Sequence, residues 1–546
     1  MKFGSAFSEN VTSERKRKQW FSKNEPGWWS GSGRFLLFTL LFLFIMFILF
    51  LRLFDLTIVN GYQYRELSDS NRTREIIRHA PRGILYDRTG KPLVENTPLE
   101  EYRYRRTYLY PESTAHVIGY VNELTSSELA SEFYSLRGYR MGDQIGRVGT
   151  EDVFEEQLRG RDGKELVEVD ATGTILRTIG RNPELSGESV MLSLDANLSQ
   201  AVERAFPKDK KGAVIVSKPL TGEILAMYSS PSFSPNVFTG GMNEEQYKTL
   251  TNDPDLPLLN RTIGGVYPPG STFKLVTALA ALEENVITSS TTVEDTGVIT
   301  IGQFTFPNWY FKQYGKTEGM VDITRALQRS NDIFFYNIGE KLGITKLGFW
   351  AKAIGVGKPL GTELAGEVGG LMPDPKWKND RFQTPQDLEA RSNEWYLGDT
   401  YHVSIGQGYL LTTPLQVNAW TNVIANGGTV CRPTIKKIES GKQKKDMCRD
   451  LHIKKETIEL ITIGMKKACE SGGTGWPLFG FRIPVACKTG TAEFGDPQNK
   501  THAWFTAFAP LVDPEISVTV LVEGAGEGSD VAAPVAKKIF EEWFSR

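Results

Sequence analysis

The sequence is poor in cysteine, and its four cysteines lie far apart with no Cys-x-x-Cys pair among them. This spacing excludes a disulfide-rich scaffold and a zinc ribbon, which both need closely spaced cysteines. Disulfides in an oxidising compartment and buried free thiols remain as two open interpretations. The four residues are Cys431, Cys448, Cys469 and Cys487.

The sequence also lacks an excess of charge of either sign. It has 63 basic and 65 acidic residues, which gives a formal net charge of −2. No basic footprint for nucleic acid follows from that balance, so no nucleic-acid partner is expected. An apolar fraction of 40% with 23% charged residues is typical of a globular protein. At 546 residues the chain is too long for one ordinary core, and we expect two or three domains.

Only one long hydrophobic run is present, from Phe35 to Leu51, and it extends to Phe54 across Arg52. As a helix it nearly matches the ~30 Å thickness of a membrane core. A cleaved signal peptide is the alternative, but its apolar part is typically about 7–15 residues and ends at a small-residue cleavage site. No such site follows here, so we predict an uncleaved anchor that crosses the membrane once.

The residues before this anchor predict its orientation. Residues 1–33 contain six Lys or Arg and three Glu, with four basic residues together at 15–18. Because positive flanks stay in the cytoplasm, the chain after the anchor should be extracytoplasmic, in the periplasm or its equivalent. The sequence therefore predicts a single-pass protein of the cytoplasmic (inner) membrane.

We divide the chain into four predicted parts. They are a cytoplasmic tail at 1–34, the anchor at 35–54, an extended membrane-proximal domain at 55–187 and a larger domain at 188–546. In the membrane-proximal domain, Arg82–Pro98 is typical of a hairpin with its turn at Asp87–Gly90. Further on, Gly149–Gly163 predicts a short helix that ends at a glycine turn.

The larger domain has strand patterns near both of its ends and helical patterns between and after them. A strand and a helix begin near Ser189, and Asp195 and Asn197 are both candidates for the helix N-cap. This arrangement favours an α+β fold in which helices flank one antiparallel sheet. The remaining predicted strands are Gly212–Ser217, Glu223–Ser229, Phe481–Lys488, Ala503–Ala509 and Ile516–Glu523, and Val531–Phe544 is the predicted C-terminal helix.

The stretch Pro268–Glu284 carries the strongest chemical signal. The Pro-Pro-Gly segment prevents a helix upstream, and from Ser271 onward the pattern predicts an apolar, buried helix. Ser271 would lie at its positive N-terminal end, with Lys274 on the same face and its pKa lowered by burial. A neutral lysine beside a serine is a general base for a nucleophile. By itself Ser-x-x-Lys is weak, because roughly two chance matches are expected in a chain this long.

Two further polar motifs follow. The triplet Ser330-Asn331-Asp332 lies between two predicted helices, where its side chains could face a cleft or simply cap a helix. Lys488-Thr489-Gly490-Thr491 is predicted at the end of a strand, where Gly490 would admit a ligand backbone and Lys488 could hold a carboxylate. An ordinary basic turn is the competing interpretation of this second motif.

All three motifs together, in this order, resemble the signature of penicillin-binding proteins and serine β-lactamases. The chain is similar to the class B (monofunctional) penicillin-binding proteins of the elongation type, penicillin-binding protein 2. The resemblance covers nearly all of the chain after the anchor. It includes the segments RGILYDRTG, GRVGTEDVFEEQLRG, TGEILAMYSSPSFSPN, NRTIGGVYPPGSTFK, SIGQGYLLTTPLQ, ANGG and HAWFTAFAP.

This resemblance implies a peptidoglycan D,D-transpeptidase, active in lateral wall elongation, that works through a serine acyl-enzyme and needs no cofactor. Ser271 would attack the D-Ala–D-Ala stem peptide, and Lys274 would take its proton. Ser330 would relay a proton to the leaving amine, and Lys488 would tune the local field. Asp332 replaces the Asn of most of the superfamily, as elongation-type members often do, so its role is less defined.

The resemblance also implies how substrate is held. Thr489 and Thr491 would bind its terminal carboxylate beside Gly490, and the backbone amides of Ser271 and Thr491 would form the oxyanion hole. β-Lactams should acylate Ser271. Some relatives bind zinc beside this site, but no His or Cys lies between Lys274 and Ser330, so we expect no such metal here.

The membrane-proximal domain would be a pedestal of the dimerisation type. By resemblance it would contact a polytopic glycan polymerase of the SEDS family and scaffold proteins of the rod complex. Only about 18 residues connect Asn96 to the segment at 115–121, where relatives carry a long head subdomain. So short a connection cannot hold a core of its own, and we expect a reduced head.

Three alternatives remain at this stage. A D,D-carboxypeptidase would use the same residues and pass the acyl group to water, although the pedestal and anchor favour transpeptidation. A serine β-lactamase is smaller and needs a deacylating base that the sequence does not identify. A non-catalytic β-lactam sensor or assembly scaffold would lose Ser271 or Lys274, or add several membrane helices and a zinc-protease motif.

Overall fold

We describe the protein from a computed structural model, which describes residues 31–100, 103–239, 241–242, 244–439 and 447–546. Most of the predicted tail, residues 1–30, lies outside the described residues.

The elements are numbered in chain order. The helices are α1 Gly31–Phe54, α2 Gly61–Arg72, α3 Pro111–Ile118, α4 Ser126–Leu129, α5 Glu132–Ser135, α6 Gly149–Val153, α7 Glu155–Leu158, α8 Ala196–Ala205, α9 Asn236–Thr239, α10 Glu244–Thr251, α11 Lys274–Glu283, α12 Trp309–Tyr314, α13 Ile323–Arg329, α14 Asp332–Ala353, α15 Pro375–Arg381, α16 Pro385–Glu389, α17 Leu397–Ser404, α18 Pro414–Ala425, α19 Lys455–Ala468 and α20 Ala533–Phe544. The strands are β1 Thr73–Arg78, β2 Leu85–Tyr86, β3 Val94–Glu100, β4 Arg103–Tyr108, β5 Tyr120–Glu123, β6 Gln144–Val148, β7 Gly163–Val169, β8 Ile175–Asn182, β9 Val190–Met191, β10 Gly212–Ser217, β11 Ile224–Ser230, β12 Thr292–Asp295, β13 Val298–Ile301, β14 Phe304–Pro307, β15 Gly319–Asp322, β16 Thr429–Cys431, β17 Cys448–Asp450, β18 Ala486–Glu493, β19 Thr501–Ala509 and β20 Ile516–Val522.

The chain forms two compact units. Within the described residues, the first comprises the chain up to Ile76 together with Glu165–Arg181, and the second comprises Ile77–Lys164 and Asn182–Arg546. The first unit contains α1, whose apolar side chains are exposed along its whole length. Among the described residues, α1 and the turn after it form the one helix that is long and apolar enough to cross a membrane. Most of the sheet β1-β7-β8 belongs to this unit.

A five-stranded antiparallel sheet organises the second unit, in the order β11-β10-β20-β19-β18. Its central strands are buried on both faces, as their continuous apolar sequences require. One face packs against α8 and α20 and the other against α18, and the apolar side chains of α11 and α14 belong to the same core as that second face. The α+β fold with this sheet is thus confirmed.

The last motif lies elsewhere in its strand than the sequence predicts. We predicted a strand over Phe481–Lys488, but β18 begins at Ala486 and continues to Glu493. Pro484 lacks the N–H that a ladder requires, which delays the start of the strand. Lys488 and Thr491 therefore lie inside β18 rather than at its end.

The chain enters the second unit at Ile77 and reaches the large sheet at Gly212. Between these points it forms short helices and strands around a buried cluster of charged side chains. The turn after β2 closes through the amide of Asp87, which donates to Lys91 O at 2.8 Å. The following residues form a second hairpin, β3–β4. The helix predicted at 149–163 is two short helices, α6 and α7, which are interrupted at Phe154.

The four cysteines form two disulfides. Cys431 pairs with Cys448 across β16 and β17, and Cys469 at the end of α19 pairs with Cys487 in β18. This pairing settles the question that the sequence left open.

Candidate active site

Ser271 lies in a tight turn that the Pro-Pro-Gly sequence makes possible. Residues Gly270–Phe273 form one turn of 3-10 helix, and α11 begins directly afterwards at Lys274. Gly270 has a φ of +53°. A Cβ there would come within 2.9 Å of Thr491 O, so only glycine allows this turn to pack against β18. The turn presents Ser271 half-buried at the start of the buried helix α11.

Lys274 is fully buried and donates hydrogen bonds to three acceptors. Its Nζ donates to Asp332 Oδ1 at 2.6 Å, to Ser330 O at 2.7 Å and to Ser330 Oγ at 3.3 Å. Within the described part of the chain the Ser271 hydroxyl makes no hydrogen bond, so a direct contact with the Lys274 amine is not formed here. The structure brings Lys274 to the second motif and leaves Ser271 at the edge of the cluster.

Ser330 is the residue on which both lysines converge. It ends α13 in a left-handed conformation, with φ +54° and ψ +39°, while Asn331 caps the start of α14. Its Oγ accepts from Lys488 Nζ at 2.9 Å as well as from Lys274. The sharp corner between the two helices therefore aims one hydroxyl at two amines, while Asn331 also caps a helix, which was the other interpretation of this triplet.

The strand β18 supplies the remaining predicted residues. Lys488 is fully buried, and its Nζ also donates to Thr489 O at 2.8 Å. The Thr489 hydroxyl donates to Thr474 Oγ1 at 2.7 Å. Thr491 Oγ1 donates to Glu527 Oε2 at 2.7 Å.

Gly490 has a packing role that the sequence did not predict. A Cβ at this position would lie 3.0 Å from both the Thr272 methyl group and Trp504 Cβ. Trp504 is its cross-strand partner in β19. The missing side chain thus lets β18 approach the Ser271 turn and β19.

The electrostatics of the cluster favour a neutral amine. Burial lowers the pKa of Lys274, and the Asp332 carboxylate partly opposes that shift. Burial also holds the pKa of Lys488 well below its usual value, and the charge of Lys274 lowers it further. Two buried amines share one carboxylate, so the cluster favours a state with a single ammonium ion.

Behind Asp332 lies a polar network that the sequence analysis did not predict. Asp332 Oδ2 accepts from Trp309 N at 2.8 Å, and Asp332 N donates to Asn308 Oδ1 at 3.1 Å. Asn308 and Asn331 both donate through Nδ2 to Asp295 Oδ2, at 2.9 and 3.0 Å. Asp295 is thereby connected to the carboxylate that binds Lys274. No sequence motif marks Asp295 or Asn308, because the segment that contains them has no pattern of its own.

Two family models match the chain. The penicillin-binding protein transpeptidase domain matches residues 212–541, which is more than half of the chain. The penicillin-binding protein dimerisation domain matches residues 99–192. The fold and the three motifs thus define a penicillin-binding protein with a transpeptidase domain.

Known relatives identify the group of penicillin-binding proteins to which the chain belongs. The peptidoglycan D,D-transpeptidase MrdA of Haemophilus influenzae is 31% identical over 596 aligned positions, which cover 91% of this chain and 89% of that protein. The chain belongs to the family of these MrdA transpeptidases, the penicillin-binding protein 2 type of elongation enzyme.

Solved structures share the fold. One is the complex of penicillin-binding protein 2 with MreC from Helicobacter pylori, at 26% identity and a TM-score of 0.74, covering 87% of this chain and 99% of that one. Another is a peptidoglycan synthase complex that coordinates polymerisation and crosslinking, at 28% identity and a TM-score of 0.74, covering 94% of this chain and 99% of that one.

Proposed function

We propose that the chain crosslinks peptidoglycan stem peptides as a D,D-transpeptidase during lateral wall elongation, with Ser271 as the nucleophile. The observation that carries this proposal is the convergence of two buried amines on one hydroxyl. Ser330 Oγ accepts from Lys488 Nζ at 2.9 Å and from Lys274 Nζ at 3.3 Å. Lys274 begins α11 and follows Ser271 by three residues.

Acylation begins with loss of the Ser271 proton. The neutral form of Lys274, which burial favours, accepts that proton as Ser271 Oγ attacks the carbonyl of the penultimate D-alanine. The tetrahedral oxyanion faces the amides of Ser271 and Thr491. Asp332 stabilises the ammonium form of Lys274 that results, because its Oδ1 lies 2.6 Å from Nζ.

Collapse of the intermediate releases the terminal D-alanine. Its amine takes a proton through Ser330, which the amines of Lys274 and Lys488 both contact. An acceptor amine from a neighbouring stem peptide then attacks the ester and reverses the same proton path. Side chains and backbone amides of the chain supply every group that this reaction sequence uses.

Thr489, Gly490 and Thr491 form the strand along which the substrate would align. The two threonine hydroxyls are the groups proposed to bind the terminal carboxylate. Each already donates to a neighbour, Thr489 to Thr474 and Thr491 to Glu527. Substrate or a β-lactam carboxylate therefore has to exchange with these partners when it binds.

The catalytic unit is proposed to lie outside the cytoplasm, with the chain anchored by α1. Positive charge before α1 favours a cytoplasmic N-terminus. All four cysteines lie after α1, and both of their pairs are disulfides. Because disulfides persist in oxidising compartments and are rare in the cytosol, the two observations agree on orientation.

We also propose the boundaries 55–187 for the pedestal and 188–546 for the transpeptidase domain.

We propose a glycan polymerase and a rod-complex scaffold protein as partners. The Helicobacter pylori relative forms a complex with MreC, and another neighbour belongs to a peptidoglycan synthase complex. We propose that the β3–β4 hairpin replaces the long head of relatives, which would leave less surface for such contacts. Reconstitution with a SEDS-type polymerase tests the coupling, since shortening the pedestal should lower glycan polymerisation.

Fluorescent penicillin labelling tests the nucleophile. The wild-type protein should gain one covalent adduct on Ser271, located by intact mass and peptide mapping, and Ser271→Ala should not label. Ser13→Ala is a matched control, because Ser13 and Lys16 repeat the Ser-x-x-Lys spacing in the N-terminal tail. Labelling that survives in Ser271→Ala would remove Ser271 from the mechanism.

The reaction products separate transpeptidation from hydrolysis. With lipid-linked glycan, a polymerase and stem pentapeptides, mass spectrometry of digested glycan should show crosslinked peptide dimers that Ser271→Ala fails to make. Tetrapeptide monomers alone would instead identify a D,D-carboxypeptidase.

A further inference from the structure

Three potential metal ligands lie close together outside the proposed active site. His79 follows β1, Asp143 precedes β6 and Asp162 precedes β7, and one ligand atom of each lies within 4.8 Å of the others. All three residues belong to the second compact unit. We infer that His79, Asp143 and Asp162 form a binding site for a divalent transition-metal cation, for which Zn²⁺ is the appropriate probe.

Two of the donors already have the spacing that a tetrahedral metal requires. His79 Nδ1 and Asp162 Oδ2 are 3.1 Å apart. Zinc–ligand bonds of about 2.0–2.1 Å at tetrahedral angles place neighbouring donors roughly 3.3 Å apart. A cation can therefore replace the proton that these two atoms share with little movement of either side chain. The amide of Ala80 donates to Asp162 Oδ1 at 2.8 Å and fixes this carboxylate from behind.

Asp143 provides the second, independent observation. Its side chain is 7% exposed, and its Oδ2 accepts from Arg140 N and Arg159 Nη2, both at 3.0 Å. Its Oδ1 is buried and has no hydrogen-bond partner within the described residues. A buried carboxylate oxygen without a hydrogen-bond partner is destabilising. A cation held with His79 and Asp162 would give that oxygen a ligand.

The charge of the cluster suits a divalent cation. Asp143 and Asp162 carry two negative charges, and Arg159 neutralises one of them. With a neutral imidazole, one negative charge remains before a metal binds. One imidazole and two carboxylates are also a donor set that first-row divalent metals accept. Sequence spacing did not reveal the site, because its members are 83 and 19 residues apart along the chain.

A protonated imidazole is the competing occupant. The hydrogen bond to Asp162 raises the pKa of His79, burial opposes that shift, Asp143 adds to it and Arg103 opposes it. The imidazolium explains the His79–Asp162 contact but leaves Asp143 Oδ1 without a partner. Since metal and proton compete for the same nitrogen, metal affinity should fall as pH is lowered through the His79 pKa, by about tenfold per pH unit below it.

Metal binding by the full-length protein in detergent tests the inference. The protein is stripped with a chelator and dialysed against Zn²⁺, and bound zinc is measured by elemental analysis. Wild-type protein should bind one zinc more than either Asp143→Asn or His79→Gln. Co²⁺ in place of Zn²⁺ should give visible absorption bands of a low-symmetry site that both variants lose.

A matched control separates this site from adventitious binding by an exposed imidazole. His452 and Asp450 form a similar pair at 3.4 Å, which is exposed and has no third carboxylate among the described residues. His452→Gln should keep the zinc that His79→Gln loses. Equal zinc in wild type, Asp143→Asn and His79→Gln overturns the inference, and so does loss of zinc in His452→Gln alone. Penicillin labelling of each variant confirms that it is folded, independently of whether the metal site exists.

Discussion

The hydroxyl of Thr491 donates to a carboxylate of the chain itself, Oε2 of Glu527, across 2.7 Å. The amide of Gly528 faces the same hydroxyl from the other side at 3.5 Å. Thr491 is also the residue proposed to bind the terminal carboxylate of the substrate. One hydroxyl proton cannot serve two carboxylates, so the carboxylate of Glu527 occupies a position that substrate has to take over.

Removing the charge of Glu527 should therefore speed acylation. We expect Glu527→Gln to raise the second-order rate of acylation by benzylpenicillin about two- to fivefold, as loss of an exposed interaction of up to ~1 kcal/mol implies. Competition with fluorescent penicillin measures this rate. Glu493→Gln is the control, because Glu493 is exposed at the end of the same strand and pairs with Lys312. An unchanged or slower rate in Glu527→Gln contradicts the competition.

The pH dependence of acylation should report Lys274. Its neutral form is the base, and burial lowers its pKa. The rate should therefore rise with pH through a midpoint below the ordinary lysine value and fall as pH is lowered. Because Asp332 raises the pKa of Lys274, Asp332→Asn should move this limb to lower pH. Stopped-flow acylation across a pH series measures the midpoint, and a shift to higher pH would refute the assignment.

Asp295 should act as a positioning residue. The Asp295 carboxylate accepts from four N–H groups, two of them on the side chains of Asn308 and Asn331. Asp295→Asn introduces an N–H of its own at this position, which weakens the hold on both asparagines. We expect acylation to slow about tenfold, as loss of roughly 1.4 kcal/mol implies. The pH midpoint should move as well, which a general loss of stability would not cause. Glu294→Gln, at the exposed neighbouring position in β12, should leave both rate and midpoint unchanged.

Glu151 should be the main electrostatic contributor to stability in the segment before the large domain. It is fully buried, and its two carboxylate oxygens accept from Arg82 Nε and Arg106 Nε, each at 2.7 Å. Glu151→Gln leaves two guanidinium groups without their shared anion, so we expect a loss of about 3–5 kcal/mol in unfolding free energy. Denaturant unfolding at neutral pH measures it. Glu244→Gln removes an exposed ion pair with Lys248 and should cost less than about 1 kcal/mol.

Low pH should reduce the difference in unfolding free energy between wild type and Glu151→Gln. Burial raises the pKa of Glu151, but the attraction of Arg106 and Arg82 outweighs burial and holds the pKa below its usual value. A lowered folded pKa means that the contribution is fully present above the unfolded value, about 4.3, and is lost as pH falls through the folded value. The difference between wild type and Glu151→Gln should thus shrink progressively as pH falls below about 4.3. A difference that stays constant as pH is lowered through this range would show that packing, not charge, dominates.

Local patterns predicted much of the fold. Helix α1 ends at Phe54, where the apolar run of the sequence also ends, and β10, β19 and β20 lie where alternating or continuous apolar sequence placed them. Asp195 is the N-cap of α8, accepting from Leu198 N at 2.9 Å. These features depend on neighbours within a few residues, which a single sequence contains.

Contacts between distant segments were not predictable in this way. Asp295 meets Asn331 across 36 residues, and Thr491 meets Glu527 across 36 residues, with no shared motif. The pairing of the four cysteines likewise depends on which strands and helices become neighbours. The spacing of Ser271 and Lys274 predicted their shared turn, but the structure shows that the amine bonds to Asp332 and Ser330 instead of to Ser271.

The disulfide at Cys487 ends one residue before Lys488, on the same strand. A freshly synthesised chain carries thiols at these positions while it remains in the reducing cytosol. Under the proposed orientation, the disulfide forms after export and links β18, which contains Lys488, to the end of α19. The disulfide beside Lys488 would thus form only after the active site has reached the side of the membrane where its substrate is displayed.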